Sequence, residues 1–590
     1  MKKRTLLTCG LAAALFAGCS SDDKLTVDDG TVPNGGSGSG YLALNVSLPT
    51  TGNAPRAIAD DQRDDKYNQG APNEYAVNSI HLVCYDGSGN ALQAFQYTGD
   101  AWSTPSASAT GITTESVLKV QPVKSGVEQI LVLVNAPETL TFGTDAEGKL
   151  NGKMTYNSTT VSTYDEFKNF KFTDDVTGGG SKFYMSNSPL SDGTKLTELV
   201  HVVPQNTMEA AMADVRTVNV ERAAGKVSLA HQANKSSSDP NYPDNVGWID
   251  WEYTLDASGY VKDKVTFNSW MLDVTNKVTY PVRHYNKTWE DYVGYHDQRF
   301  KGTSVTYVGN DKETYYRTYW AEDPNYGSYI EGDFNKVQLL TQFTANSLST
   351  PLYCNENTFD VYNMQQRQST RVILKATYKP NGLTIGSDGN WYRIGNSNKA
   401  YNLTQINSLI QNIKSADGGA TWDCASVELD ASTLEAGSNV LDNTNFGTTL
   451  HTNPTYSAEQ VTAINKVLGT VTVYKNCECY YVARIQHFGS YYTPWGIETG
   501  SDTYFTQYYN YTGSLPSGKT ESDLNKAYLG RYGIVRNNWY ELELGEVSAP
   551  GEPTIPTASA GTDPDDEEKY YIQATVKIMD WAVRKQSVNL

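Results

Sequence analysis

The chain is poor in the residues that carry chemistry. Its seven histidines are scattered over 590 residues, and none stands at helical i, i+4 spacing with a carboxylate. Neither a zinc template nor a histidine-activated nucleophile is met. No other acid, base or nucleophile constellation is present, so the sequence points to no enzyme, cofactor or metal. Positive charge is short as well: 47 Lys and Arg face 66 Asp and Glu, a net charge of −19, with no basic cluster beyond the first four residues. Phosphate backbones need concentrated cations, so nucleic acid is excluded as a partner. No later segment has the long apolar run of a membrane-spanning helix, which leaves the N-terminal segment as the means of membrane attachment. Cysteine is sparse, at seven. Setting aside Cys9 and Cys19, the other five are either free buried thiols or disulfide partners, which export permits. Cys477 and Cys479 are too far apart on one strand face, about 7 Å, to pair with each other.

What is abundant points to strands and turns: 41 Tyr, 48 Gly and 22 Pro, a mixture of sheet formers and turn formers. The predicted fold is mainly β, with a few short helices, and the length calls for two domains. The N-terminal stretch reads as a series of devices. Lys2, Lys3 and Arg4, an apolar run from Leu6 to Ala17, and Leu15-Phe16-Ala17-Gly18-Cys19 make residues 1–18 a signal peptide. A cysteine directly after the small residues resembles a bacterial lipoprotein signal, which makes Cys19 the lipid attachment site and the outer membrane a partner of the precursor. Several acyl chains, at about 0.8 kcal/mol per buried methylene, hold a protein where one would not. Residues 19–40 have the composition of a flexible tether. Tyr41 to Leu48 then alternates strictly, with Leu42, Leu44, Val46 and Leu48 on one face of a half-buried strand. Gly52, Pro55 and Arg56 follow in a polar, accessible stretch suited to proteolysis. Cleavage after Arg56 would leave Ala57 as the new N-terminus, with Arg63 as the second choice.

Further along, Val127 to Val134 reads as a strand buried on both faces, and Val265 to Val274 as an alternating one. A pattern restart near Glu209 divides the chain into residues 41–208 and 209–590. Ser457 to Leu468 is the clearest helix, with Ser457 as N-cap, Gln460 as its capping-box partner, and Val461, Ile464, Val467 and Leu468 on the packed face. His487 beside Phe488 and the string Tyr528 to Tyr540 read as structural. Gly551 to Glu568 is a linker rich in Pro, Gly and acid. In the final segment, 571–590, Ile572, Ala574, Val576 and Ile578 alternate with polar neighbours.

Several of these strings in order resemble the fimbrillin family, the shaft and accessory subunits of Bacteroidales type V pili, closest in size to the minor-fimbrillin branch. They are the lipoprotein signal, Leu131 to Pro137, Asn219 to Val227, Arg317 to Tyr326, Glu356-Asn357-Thr358, Tyr528 to Trp539 and the end containing Trp581. The resemblance implies two transthyretin-like β-sandwich domains and export to a cell-surface fimbrium. It also implies removal of the first strand by a protease with arginine preference, and polymerisation with other copies and related subunits by donor-strand exchange. Tyr571 to Leu590 is the expected donor, filling the groove left by Tyr41 to Leu48 through Ile572, Ala574, Val576 and Ile578. The competing reading is a surface-anchored, carbohydrate-binding lipoprotein, suggested by the export signal and the abundant Trp and Tyr.

Overall fold

The structure is a computed structural model that describes residues 40–47, 71–98, 115–191, 194–231, 251–253, 263–291, 293–294, 297–298, 300, 307–308, 314–337, 346–447, 450–488, 520–544, 547, 549–558 and 574–579. Among them no helix is long and apolar enough to cross a membrane.

The first half contributes β1 (Gly40–Ser47), β2 (Ser79–Tyr85), β3 (Ala91–Thr98), β4 (Glu115–Val123), β5 (Gln129–Val134), β6 (Met185–Asn187) and β7 (Arg216–Arg222). They form one mixed sheet in the order β3-β2-β5-β6-β7-β1-β4, with a two-residue strand, Val200–His201, also on β5. Ile130 to Val134 are all fully buried, as their unbroken apolar run requires. A smaller sheet, Thr141–Thr144 with Leu150–Tyr156 and Thr159–Val161, adds Met154, Tyr156 and Val161 to the same core. β7 hydrogen-bonds to β1 and β6, so the first sheet extends through Arg222. The change of sheet therefore falls at Ala223 and not before Glu209, because the pattern restart is the last strand of the old sheet running directly into the first of the new.

The second half contributes β8 (Ala224–His231), β9 (Trp251–Tyr253), β10 (Asp263–Asp273), β11 (Leu352–Asn355), β12 (Arg371–Lys379), β13 (Glu478–Arg484), β14 (Trp539–Leu544) and β15 (Ala574–Met579). Two four-stranded sheets, β11-β8-β14-β15 and β9-β10-β12-β13, share one core of Val227, Val265, Val372, Leu374, Cys479, Tyr481, Leu542 and their neighbours. This is a β-sandwich with alternate residues turned inward. A bulge between Phe267 and Ser269 shifts the phase of β10, so Ser269 and Trp270 are both buried.

Between the adjacent strands β12 and β13 the chain makes a long excursion with a core of its own. It holds helix Leu403–Gln411, helix Pro454–Leu468 and a small sheet of Trp391–Ile394, Val471–Tyr474 and Gly437–Asn439. The second helix begins earlier than predicted, because Asn453 caps it and Pro454 takes the first helical position. Gln460 instead binds His451 N and Asp423 O, and Val467 is exposed. Gly551 to Glu568 does not hang free from its start: Glu552 pairs with Tyr480, and Pro556 O accepts from Arg371.

His81 on β2 stacks on Phe142 at 4.2 Å, its Nδ1 has no hydrogen-bond partner, and burial pushes its pKa down to about 4. An unfolded imidazole takes its proton near pH 6.5, so between these values the unfolded chain binds more protons. Stability is then expected to fall as pH falls from 6.5 towards 4, by up to about 1.4 kcal/mol per pH unit from this group. His81→Phe should flatten that slope in urea midpoints measured across the window; an unchanged slope would clear His81 of the effect.

Candidate assembly site: the first strand and the seam beside it

Alternation sets the orientation of β1. Leu42, Leu44 and Val46 enter the first core at 4%, 2% and 4% exposure. On one side Leu44 to Ser47 run parallel to Arg216 to Asn219 of β7, and on the other Gly40 to Ser47 run antiparallel to Val123 to Glu115 of β4. Tyr41 also exchanges both backbone hydrogen bonds with Gln205, at 2.7 and 2.9 Å. A Cβ at Gly40 would collide with Pro204, so the close approach there requires glycine. Helix α1 (Met208–Ala213), capped by Thr207, lies alongside β1 and β4. Among the described residues β4 has β1 as its one ladder partner, and it carries Pro122 opposite Tyr41, as an outermost strand can. Taking β1 away would leave a slot with unpaired backbone on both walls, β7 and β4.

Just after the stretch that holds Arg56, the chain is pinned. Glu74, fully buried, receives Lys226 Nζ at 2.6 Å, the Tyr353 hydroxyl and Ala71 N at 3.0 Å, while its carbonyl accepts from Arg222 Nε. Burial alone would push this carboxyl up, but the Lys226 ammonium, the Tyr353 hydroxyl and the Arg222 guanidinium hold it below its ordinary value. Deeper in the seam, Arg283 makes a two-pronged contact with Glu221 at 2.8 and 2.5 Å, with neither side chain exposed. Arg283 also donates to Thr318 O and Arg536 O, and Arg536 in turn pairs with Glu356 at 3.1 Å. Arg222 and Arg317 both reach Asn537. The string Tyr528 to Tyr540 thus supplies the groups that join the two halves. His487 is structural too, bridging Tyr540 Oη and Tyr319 O at 2.8 and 2.6 Å.

Two family descriptions match the sequence. "Major fimbrial subunit protein (FimA)" covers residues 44–231, from within β1 to the end of β8, and "Major fimbrial subunit protein type IV, Fimbrillin, C-terminal" covers residues 499–587. The chain belongs to the fimbrillin family. It is accordingly a structural subunit of a cell-surface fimbrium and not an enzyme, and its partners are related subunits. Solved structures similar to this fimbrillin include a fimbrilin from Porphyromonas gingivalis W83, at 12% identity and TM-score 0.33 over 92% of this chain and 99% of that one. The tip fimbrial protein Mfa3 from Porphyromonas gingivalis has 9% identity and TM-score 0.29 over 92% and 100%. A fimbrial assembly protein from Parabacteroides distasonis has 11% identity and TM-score 0.28 over 62% and 85%. No curated protein sequence matches the chain.

Of the residues predicted to act, Leu42, Leu44 and Val46 come together in the core beneath β1. Leu48, Cys19, Arg56, Ala57 and Ile572 lie outside the described residues. Ala574, Val576 and Ile578 lie on β15, which in the single chain forms the edge of its own second sheet, in register opposite Leu544, Leu542 and Tyr540. Glu74, Lys226 and Tyr353 were not anticipated, since nothing local marks a partnership across such sequence distances. β4 carries its own sequence signal in a short run of strand formers, Val117, Leu118 and Val120, ahead of Pro122. Of the tryptophans that suggested glycan binding, Trp270, Trp289, Trp320, Trp391 and Trp422 are buried.

Proposed function

We propose that this fimbrillin is made as a lipoprotein precursor held in the outer membrane through Cys19. A protease with arginine preference cuts after Arg56, Ala57 becomes the N-terminus, and β1 leaves. Subunits then join by donor-strand exchange, in support of adhesion: Tyr571 to Leu590 of one subunit enters the slot of the next. The observation that carries this reading is the place of β1, an apolar strand walled by β7 and β4 and joined to the body through a segment that contains Arg56 and ends at the pinned Glu74. The contacts of Glu74 hold the chain at Ala71 to Glu74 when β1 departs. The donor has the spacing the slot needs, since Ala574, Val576 and Ile578 repeat every second residue as Leu42, Leu44 and Val46 do. To be donated, β15 has to exchange β14 of its own chain for the neighbour's β7 and β4. Because the start of the preceding linker is fixed at Glu552 and Pro556, the swing begins after that point.

The anchor and the exchange are tested separately. A palmitate analogue should label the wild type in cells and not Cys19→Ala; equal labelling would remove the anchor. Protein beginning at Ala57 should bind a synthetic peptide of residues 571–590 and form filaments in negative stain, while full-length precursor should do neither. Equal behaviour of the two forms would end the strand-exchange reading.

A further inference from the structure

Resting on the strand-exchange reading, we infer that Val203, Met208 and Met212 form a docking surface on which the body of a second copy of this chain seats at the mouth of the β1 slot. Among the described residues six large apolar side chains are strongly exposed, and these three, at 51%, 50% and 57%, fall within ten residues of one another. Met208 and Met212 stand at i and i+4 and share one face of α1. The Gln205 amide holds the third member beside them: its Nε2 donates to Val203 O at 3.1 Å and to Asp214 Oδ2 at 3.2 Å, just past the end of the helix. Thioether side chains are unbranched and polarisable, which suits a contact that has to adapt. Exposed apolar side chains gathered in so short a stretch are a mark of an interaction site.

The position of the cluster selects the occupant. Gln205, in the middle of the patch segment, is the residue laddered to Tyr41, and Gly40 is packed on Pro204. The tether of residues 19–39 therefore joins the body at this corner, and cleavage after Arg56 removes tether and β1 together. This corner is thus altered by processing, and it adjoins the slot that a related subunit has to enter. A donor strand in the slot brings its own body to one end of β1, and the patch lies at the Gly40 end. Ala211, on the inner side of α1, is buried at 1% and stays in place, so the outer face is free to bear a neighbour.

The test uses protein beginning at Ala57 and the triple variant Val203→Thr, Met208→Gln, Met212→Gln, which keeps size and removes apolar character. A control, Val440→Thr with Val467→Gln, alters two exposed apolar residues of the inserted lobe, at 73% and 54% exposure. Filament growth by light scattering should slow about tenfold or more in the triple variant, the change expected from losing a modest contact. Its affinity for the 571–590 peptide and its melting temperature should stay at wild-type values. Growth at the wild-type rate would overturn the docking surface while leaving strand exchange standing, and equal slowing by the lobe control would overturn it as general stickiness. Unchanged growth with weaker binding of the precursor to phosphatidylethanolamine–phosphatidylglycerol vesicles would give the patch to the membrane. If the wild type neither binds peptide nor grows, strand exchange falls and the docking surface with it.

Discussion

Arg56→Ala is expected to yield a folded, lipid-bearing precursor that forms no filaments. β1 places three apolar side chains in the first core, and burial at about 1.5 to 3 kcal/mol each sums to about 5 to 9 kcal/mol, before any ladder hydrogen bonds are counted. As long as β1 is covalently attached, its effective concentration at the slot far exceeds that of a donor from another molecule. The slot then stays filled, and polymerisation should be lost outright, not merely slowed. The melting temperature should match that of wild-type precursor, since the substitution changes none of the side chains named in either core. N-terminal mass spectrometry of the cell-surface form decides the matter. Ala57 persisting as the N-terminus in the variant would defeat the assignment, and normal filaments beginning at Asp64 would move it to Arg63.

The second large effect concerns the seam. Arg283→Met leaves the Glu221 carboxylate in a site with no exposure and without the guanidinium that satisfies both of its oxygens. Breaking a buried pair from one side costs about 3 to 5 kcal/mol, which in a domain of this size corresponds to a melting temperature lower by on the order of 10 °C. Glu221→Leu combined with Arg283→Met should recover much of the loss, because the cost lies in the unpaired charge. A single variant that melts within a degree or two of wild type would mean that the seam does not hold the halves together.

Strands with unambiguous periodicity could be read directly from sequence. Tyr41 to Leu48 and Val127 to Val134 emerged within a residue or two of their bounds, and their burial followed from alternation in one and continuous apolarity in the other. The two-sandwich plan came from the order of several strings, none of them decisive by itself. Tertiary relations were harder. The change of sheet at Ala223 leaves no mark in the sequence, because β7 and β8 are nearly continuous and only hydrogen bonding assigns them to different sheets. The helix ending at Leu468 was found, but its cap was not, since Asn453-Pro454 competes with Ser457 and the flanking loop claims Gln460. The Glu221–Arg283 and Glu74–Lys226 pairs join residues far apart in the chain, and a charged residue carries no local sign that it will be buried. The lobe between β12 and β13 was invisible as a unit, because its core becomes whole only when two helices and three short strands close on each other.

The near-continuity of β7 and β8 has a mechanical meaning. A fimbrium in flowing fluid bears tension along its length, and in a filament built by strand exchange that pull enters each subunit through the strand seated against β7. With Ala223 alone between β7 and β8, the load crosses from the large first sheet to the sandwich of the second half along covalent backbone, bypassing the non-covalent seam. It then passes from β8 to the parallel β14, and on along the chain that follows β14 to the donated segment 571–590. Ladder bonds on this route lie across the pull and must fail together instead of peeling one by one. The weakest link in such a fibre is therefore the length of strand overlap, while the joint between domains is spared.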